Sequence, residues 1–147
     1  VTYKRTLPFP KDINEHLMAY GINDSAIYLD DKSEVTPITE FEENTTKMIS
    51  MINKYNVNMV FVGLTMVNEA LAGNFNDRLC FSNERIHDYN QSLKRICSEH
   101  HIDFMDLHNE CNNEKTIFLD MLQDGLHPDG NGHSFIMQKL KEIGNLL

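Results

Sequence analysis

Apolar residues along the chain alternate between short continuous runs and helical periods, and that alternation predicts the elements. Leu17-Met18-Ala19-Tyr20 is an apolar run stopped by Gly21, which reads as a buried strand. Phe41, Met48, Ile49, Ile52 and Tyr55 recur at helical intervals and predict a helix over 39–55. Thr39 and Glu42 stand in capping-box spacing at its start. Val57 to Leu64 is near-continuously apolar and valine-rich, as in a strand covered on both faces of a parallel sheet. Residues 65–82, with Gly73 and several asparagines, read as a long loop.

A second amphipathic helix is predicted from about Ser82 to His100, burying Ile86, Tyr89, Leu93, Ile96 and Cys97. Ile102 to Leu107 reads as the third strand, followed by a helical turn near 116–122. The last helix, over 131–146, is expected to bury Phe135, Ile136, Leu140, Ile143 and, just beyond it, Leu147. Strand and helix in strict alternation predict a single α/β domain over 1–147, a sandwich with a mostly parallel sheet.

Composition narrows the partners. Hydrophobic residues at 41% and charged residues at 24% are ordinary for a globular chain. A net charge of −9 argues against nucleic acid, whose phosphates need a basic face. No apolar run approaches the roughly 20 residues of a membrane-spanning helix. Val1 to Pro10 lacks the apolar centre of a signal peptide. The three cysteines, Cys80, Cys97 and Cys111, have no CxxC spacing, so reduced thiols in a cytoplasmic protein are expected. Sequons at Asn23, Asn44 and Asn90 carry little weight without a secretory signal.

Ligands of such sheets bind beyond the carboxyl ends of the strands, and two polar clusters lie there. Asp124 stands three residues before His127, and Pro128 biases that histidine away from helical geometry. A carboxylate so placed can accept the imidazole Nδ1–H and leave Nε2 to take a proton. An isolated pair of this kind is more often structural. Gly21-Ile22-Asn23-Asp24 directly follows the first strand, and it too reads two ways. It is good turn chemistry, and the Asn23 amide could equally donate to a developing oxyanion.

GIND (21–24) resembles the third conserved block, GxND, of the SGNH hydrolases, also called GDSL esterases and lipases. DGLHP (124–128), continued by Gly132-His133, resembles their fifth block, DxxHP. Val62-Gly63-Leu64-Thr65, Tyr89-Asn90 opening a helix, and Ile102 to Leu107 also sit where that family places such residues, so the resemblance covers 15–147. It implies a flavodoxin-like, three-layer α/β fold that here lacks its first strands. It implies that Asp124 orients His127, that His127 is general base and acid, and that Asn23 is one oxyanion donor. Gly21 and Thr65 would line the substrate site, with a small-molecule ester as partner and neither cofactor nor metal.

The family's nucleophile is the serine of a Gly-Asp-Ser turn, and that triplet occurs nowhere in the chain. Ser25 is near Asn23 but lies within the third block, where turn packing is the expected role. Two classes therefore stand open: an ester hydrolase whose serine lies upstream of Val1, or a non-catalytic relative that keeps the pocket. Val1–Asn14 is too short for the two strands and helix expected to precede the third block, and a sheet without them exposes apolar edges that favour a homo-oligomer. A metal-dependent hydrolase is the weakest class. His100, His101, Asp106, His108, Asp124, His127, Asp129 and His133 are numerous, but no HExxH or zinc spacing occurs.

Overall fold

Valine-rich apolarity without alternation puts one strand at the centre of the sheet, and the computed structural model, which describes residues 16–55 and 57–144, has that arrangement. Strands β1 (His16–Ala19), β3 (Met59–Val62) and β5 (Asp103–Met105) form a parallel sheet in the order β1-β3-β5. His16 pairs with Met59 and Val60 with Asp103. Every residue of β3 is buried. Its side chains divide between the faces. Met59 and Phe61 join the core beneath helices α1 (Ile38–Lys54) and α3 (Asn83–Glu99). Val60 and Val62 join the core beneath α4 (Leu107–Asn113), α5 (Lys115–Leu119) and α6 (Gly130–Gly144). Helices on both faces of a parallel sheet make the three layers. The chain before His16 and the expected burial of Leu147 lie outside the described residues.

Several elements differ from the sequence reading. Helix α1 starts at Ile38, with Pro37 as its cap and no side-chain cap bond, so Thr39 and Glu42 form no capping box. Pro37 supplies a φ of −56°, already suited to a helix start. Glu42 is drawn instead to α3, accepting from Ser92 Oγ at 2.6 Å and Arg95 at 2.7 Å. The third strand ends at Met105, because Asp106 caps α4 by accepting from the Asn109 N–H. Residues 65–82 are no plain loop: they hold α2 (Glu69–Ala72) and β4 (Leu79–Cys80). Strand β4 pairs antiparallel with β2 (Ile27–Tyr28), an element too short to show any hydrophobic period.

Tyr89 and Asn90 do not open a helix but lie within α3, which Ser82 caps. Asn90 is fully buried, its Oδ1 accepting from the Leu64 N–H at 2.9 Å. It satisfies a backbone donor just past the end of β3 and is closed to glycosylation. The oxygen packs so tightly that a Cβ on Gly63 would come within 2.8 Å of it.

Candidate active site

The turn after β1 begins at Gly21, whose φ of +115° favours glycine. A Cβ there would also meet the Phe41 ring at 3.0 Å and Leu64 at 3.3 Å. Gly21 is therefore buried and packs the turn onto the core. Backbone bonds from Ser25 N–H to Gly21 O and from Ala26 N–H to Asn23 O close the turn, and Asp24 accepts from Thr36 Oγ1 at 2.9 Å. Asn23 is exposed. Ser25 is fully buried and donates from Oγ to Ile22 O at 2.7 Å, which withdraws it from any role as a nucleophile.

The second cluster is a turn organised by one carboxylate. Asp124 Oδ1 accepts the backbone N–H groups of Leu126, at 2.9 Å, and His127, at 2.7 Å. Its Oδ2 lies 2.7 Å from His127 Nδ1. Since the carboxylate can only accept, Nδ1 carries the proton and Nε2 of the neutral ring is left bare. The backbone N–H of His127, then its ring, and also the Leu126 N–H hold the Asp124 carboxyl down at about 2, against an ordinary 3.8. The lowered value means these bonds persist above the ordinary carboxylate range and are lost as pH falls towards 2. A carbon-13 titration should put the Asp124 midpoint near 2, with the 124–127 turn intact at pH 4. A midpoint at or above the ordinary value would contradict this geometry.

Two contacts seat that turn against the segment following β3. Asn68 donates its backbone N–H to Gly125 O at 2.8 Å. Gly125 has a φ of +85°, and a Cβ on it would lie 2.6 Å from Leu71 Cβ. The Phe75 ring then lies against the His127 ring, with centroids 5.9 Å apart, and meets Phe81 edge-on at 5.8 Å. Phe75 was not foreseen as part of this site. Its one signal was an aromatic residue between two asparagines in a segment otherwise read as loop.

Among the described residues no hydrogen bond or ring contact joins Asn23 to the Asp124–His127 pair. Their link is indirect. The Asn23 turn runs into β2, β2 pairs with β4, and Leu79 of β4 exchanges backbone bonds with Phe75. Thr65 lies elsewhere again, half-buried in an apolar cavity of about 270 Å³ with Leu17, Ile22, Val62, Ile136 and Leu140. That cavity flanks β1, whose Leu17 is 46% exposed.

The histidines and aspartates that are candidate metal ligands in the sequence are dispersed or otherwise engaged. His100 ends α3, and Asp129 accepts N–H groups at the start of α6. Among the described residues no three of His, Cys, Asp and Glu are grouped to hold a metal ion. Burial raises the Cys97 thiol to about 11 and the Cys111 thiol to about 12, so neither supplies a thiolate near neutrality. No described helix is long and apolar enough to cross a membrane.

The family model described as GDSL-like lipase/acylhydrolase matches residues 14–135, most of the chain. The chain belongs to the GDSL-like lipase/acylhydrolase family. Solved structures agree on the fold of this GDSL family member. An α/β hydrolase from the Lake Arreo metagenome superposes with a TM-score of 0.66 at 15% identity, covering 90% of this chain and 60% of its own. A lipase/acylhydrolase from Enterococcus faecalis gives 0.66 at 18% identity, covering 88% and 62%. An acetylxylan esterase from Geobacillus stearothermophilus gives 0.64 at 19%, covering 89% and 59%. The GDSL chain thus spans about 60% of the length of each. No curated protein matches its sequence.

Proposed function

We propose that this GDSL family member hydrolyses small-molecule esters by a serine mechanism, with the serine supplied by polypeptide outside these 147 residues. The observation that carries the reading is the bond from His127 Nδ1 to Asp124 Oδ2, which turns Nε2 away from the carboxylate as the ring's free acceptor when the imidazole is neutral. An imidazole so held can take the serine proton as the acyl carbon is attacked and return it to the leaving alcohol. Asn23 is the oxyanion donor, its exposed amide N–H₂ offered to the charge that develops on the carbonyl oxygen. Gly21 acts by fixing that turn, and Thr65 lines the approach of the acyl chain to the apolar cavity.

The alternative is a binding module with no nucleophile, and one observation bears on it: Ser25, the serine beside Asn23, is buried and bonded to backbone. The 147 residues alone are therefore expected to hydrolyse p-nitrophenyl acetate no faster than background. A chain extended upstream through a Gly-Asp-Ser turn is expected to do so, and to label with a fluorophosphonate. In that chain Asn23→Ala should lower kcat by about 10²- to 10³-fold with little change in KM. An upstream sequence without such a serine, or an extended chain that neither labels nor turns over, would leave the binding-module reading standing.

A further inference from the structure

A second concave site lies between α3 and α4, away from the Asp124–His127 turn, and its chemistry is unlike that of the apolar cavity. It is a cleft of about 380 Å³, within the roughly 300–1,000 Å³ usual for small-molecule sites. We propose that this cleft binds a neutral polyhydroxylated ligand, a sugar unit, through His108 and the side-chain amides of Gln91, Asn109 and Asn112.

His108 sets the requirement. It is 9% exposed, and its Nδ1 lies 3.2 Å from Leu64 O. A carbonyl only accepts, so Nδ1 bears the proton and Nε2 is the ring atom left for a ligand. Burial, helped by the neighbouring His87, favours the neutral ring over the opposing pull of the Leu64 carbonyl and Asp106. The His87 ring stands 5.5 Å away, centroid to centroid. A ligand must therefore bring a hydrogen-bond donor to a neutral nitrogen.

Charge in the cleft is largely matched. Lys94 Nζ pairs with Asp106 Oδ2 at 2.7 Å, leaving Lys115 as the remaining lysine of the lining. A phosphate would find only Lys115 uncommitted, since Lys94 is held by Asp106, and would face the Nε2 lone pair of His108. The amides of Gln91, Asn109 and Asn112 each offer two donors and one acceptor. A lining that both donates and accepts, with Met66 as its apolar member, matches hydroxyl groups, which also do both.

The test is nitrogen-15 NMR of the imidazole rings during titration of the 147-residue chain with xylobiose and cellobiose, and separately with inorganic phosphate. Saturable movement of the His108 Nε2 and His87 signals by a disaccharide is expected, with His127 and His133 unmoved. Gln91 and Asn112 are exposed, so a Gln91→Ala, Asn112→Ala double variant keeps the fold and should weaken binding at least tenfold. The idea is overturned if neither disaccharide moves His108, if phosphate alone does, or if binding survives in the double variant. The readout is binding without turnover, so its failure and failure of the esterase reading are separate results.

Discussion

Under the proposed serine mechanism, replacing His127 by alanine in a chain extended upstream through a Gly-Asp-Ser turn is expected to lower ester turnover by about 10⁴-fold or more. Fluorophosphonate labelling of the serine should slow in parallel. Nδ1 is occupied by Asp124, so Nε2 is the single ring position able to receive the serine proton. With the ring removed, the hydroxyl must attack without a base. Asp124→Asn should cost about 10⁴-fold by a different route. An asparagine can turn its N–H₂ towards the ring, which then protonates at Nε2 and ceases to be a base on the substrate side. KM should change little in both variants, because in the proposed mechanism the pair acts on the proton and not on substrate binding. Turnover within tenfold of the parent for His127→Ala would remove this histidine from the mechanism.

The second large effect is structural. Gly125→Ala should destabilise the protein by roughly 2–5 kcal/mol, combining left-handed backbone strain with overpacking. The added Cβ would stand 2.6 Å from Leu71 Cβ, 2.9 Å from Ala72 N and 3.0 Å from Asn68 O. Two of these are backbone atoms, which cannot swing aside as a side-chain tip could. Urea unfolding measures the loss, and a change under 1 kcal/mol would show that the 124–127 turn is not wedged against α2 as described. Because Asn68 N–H bonds Gly125 O, relief of the clash should also displace the His127 ring from Phe75.

The three principal strands and the three long helices were legible because each has enough residues to show a period. The continuous run around Val60 announced a strand buried on both faces, and the helical spacing of Ile86, Leu93 and Ile96 announced α3. The Asp124–His127 bond was legible for a local reason: three residues on a turn before proline leave little choice of geometry. Contacts between distant segments were not. Nothing in Phe75 itself says that it will lie on His127, since that depends on the two-residue pairing of β2 with β4. Glu42 shows the converse. A correct local rule gave it to its own helix start, and Ser92 and Arg95, fifty residues on, outbid the rule.

The register of the main sheet bears on how the chain folds. His16 meets Met59 and Val60 meets Asp103, so both ladders close over the same length of intervening chain. Loop-closure entropy depends on that length, so neither pairing has a kinetic head start over the other. Each also needs its own crossover helix before backbone bonds can form, α1 for the first pair and α3 for the second. These helices pack on one another over a shared core. A transition state that commits one ladder thus commits most of the other. Single-exponential refolding, with mutations at Phe41 and Leu93 slowing it to similar degrees, is the kinetic signature of that symmetry.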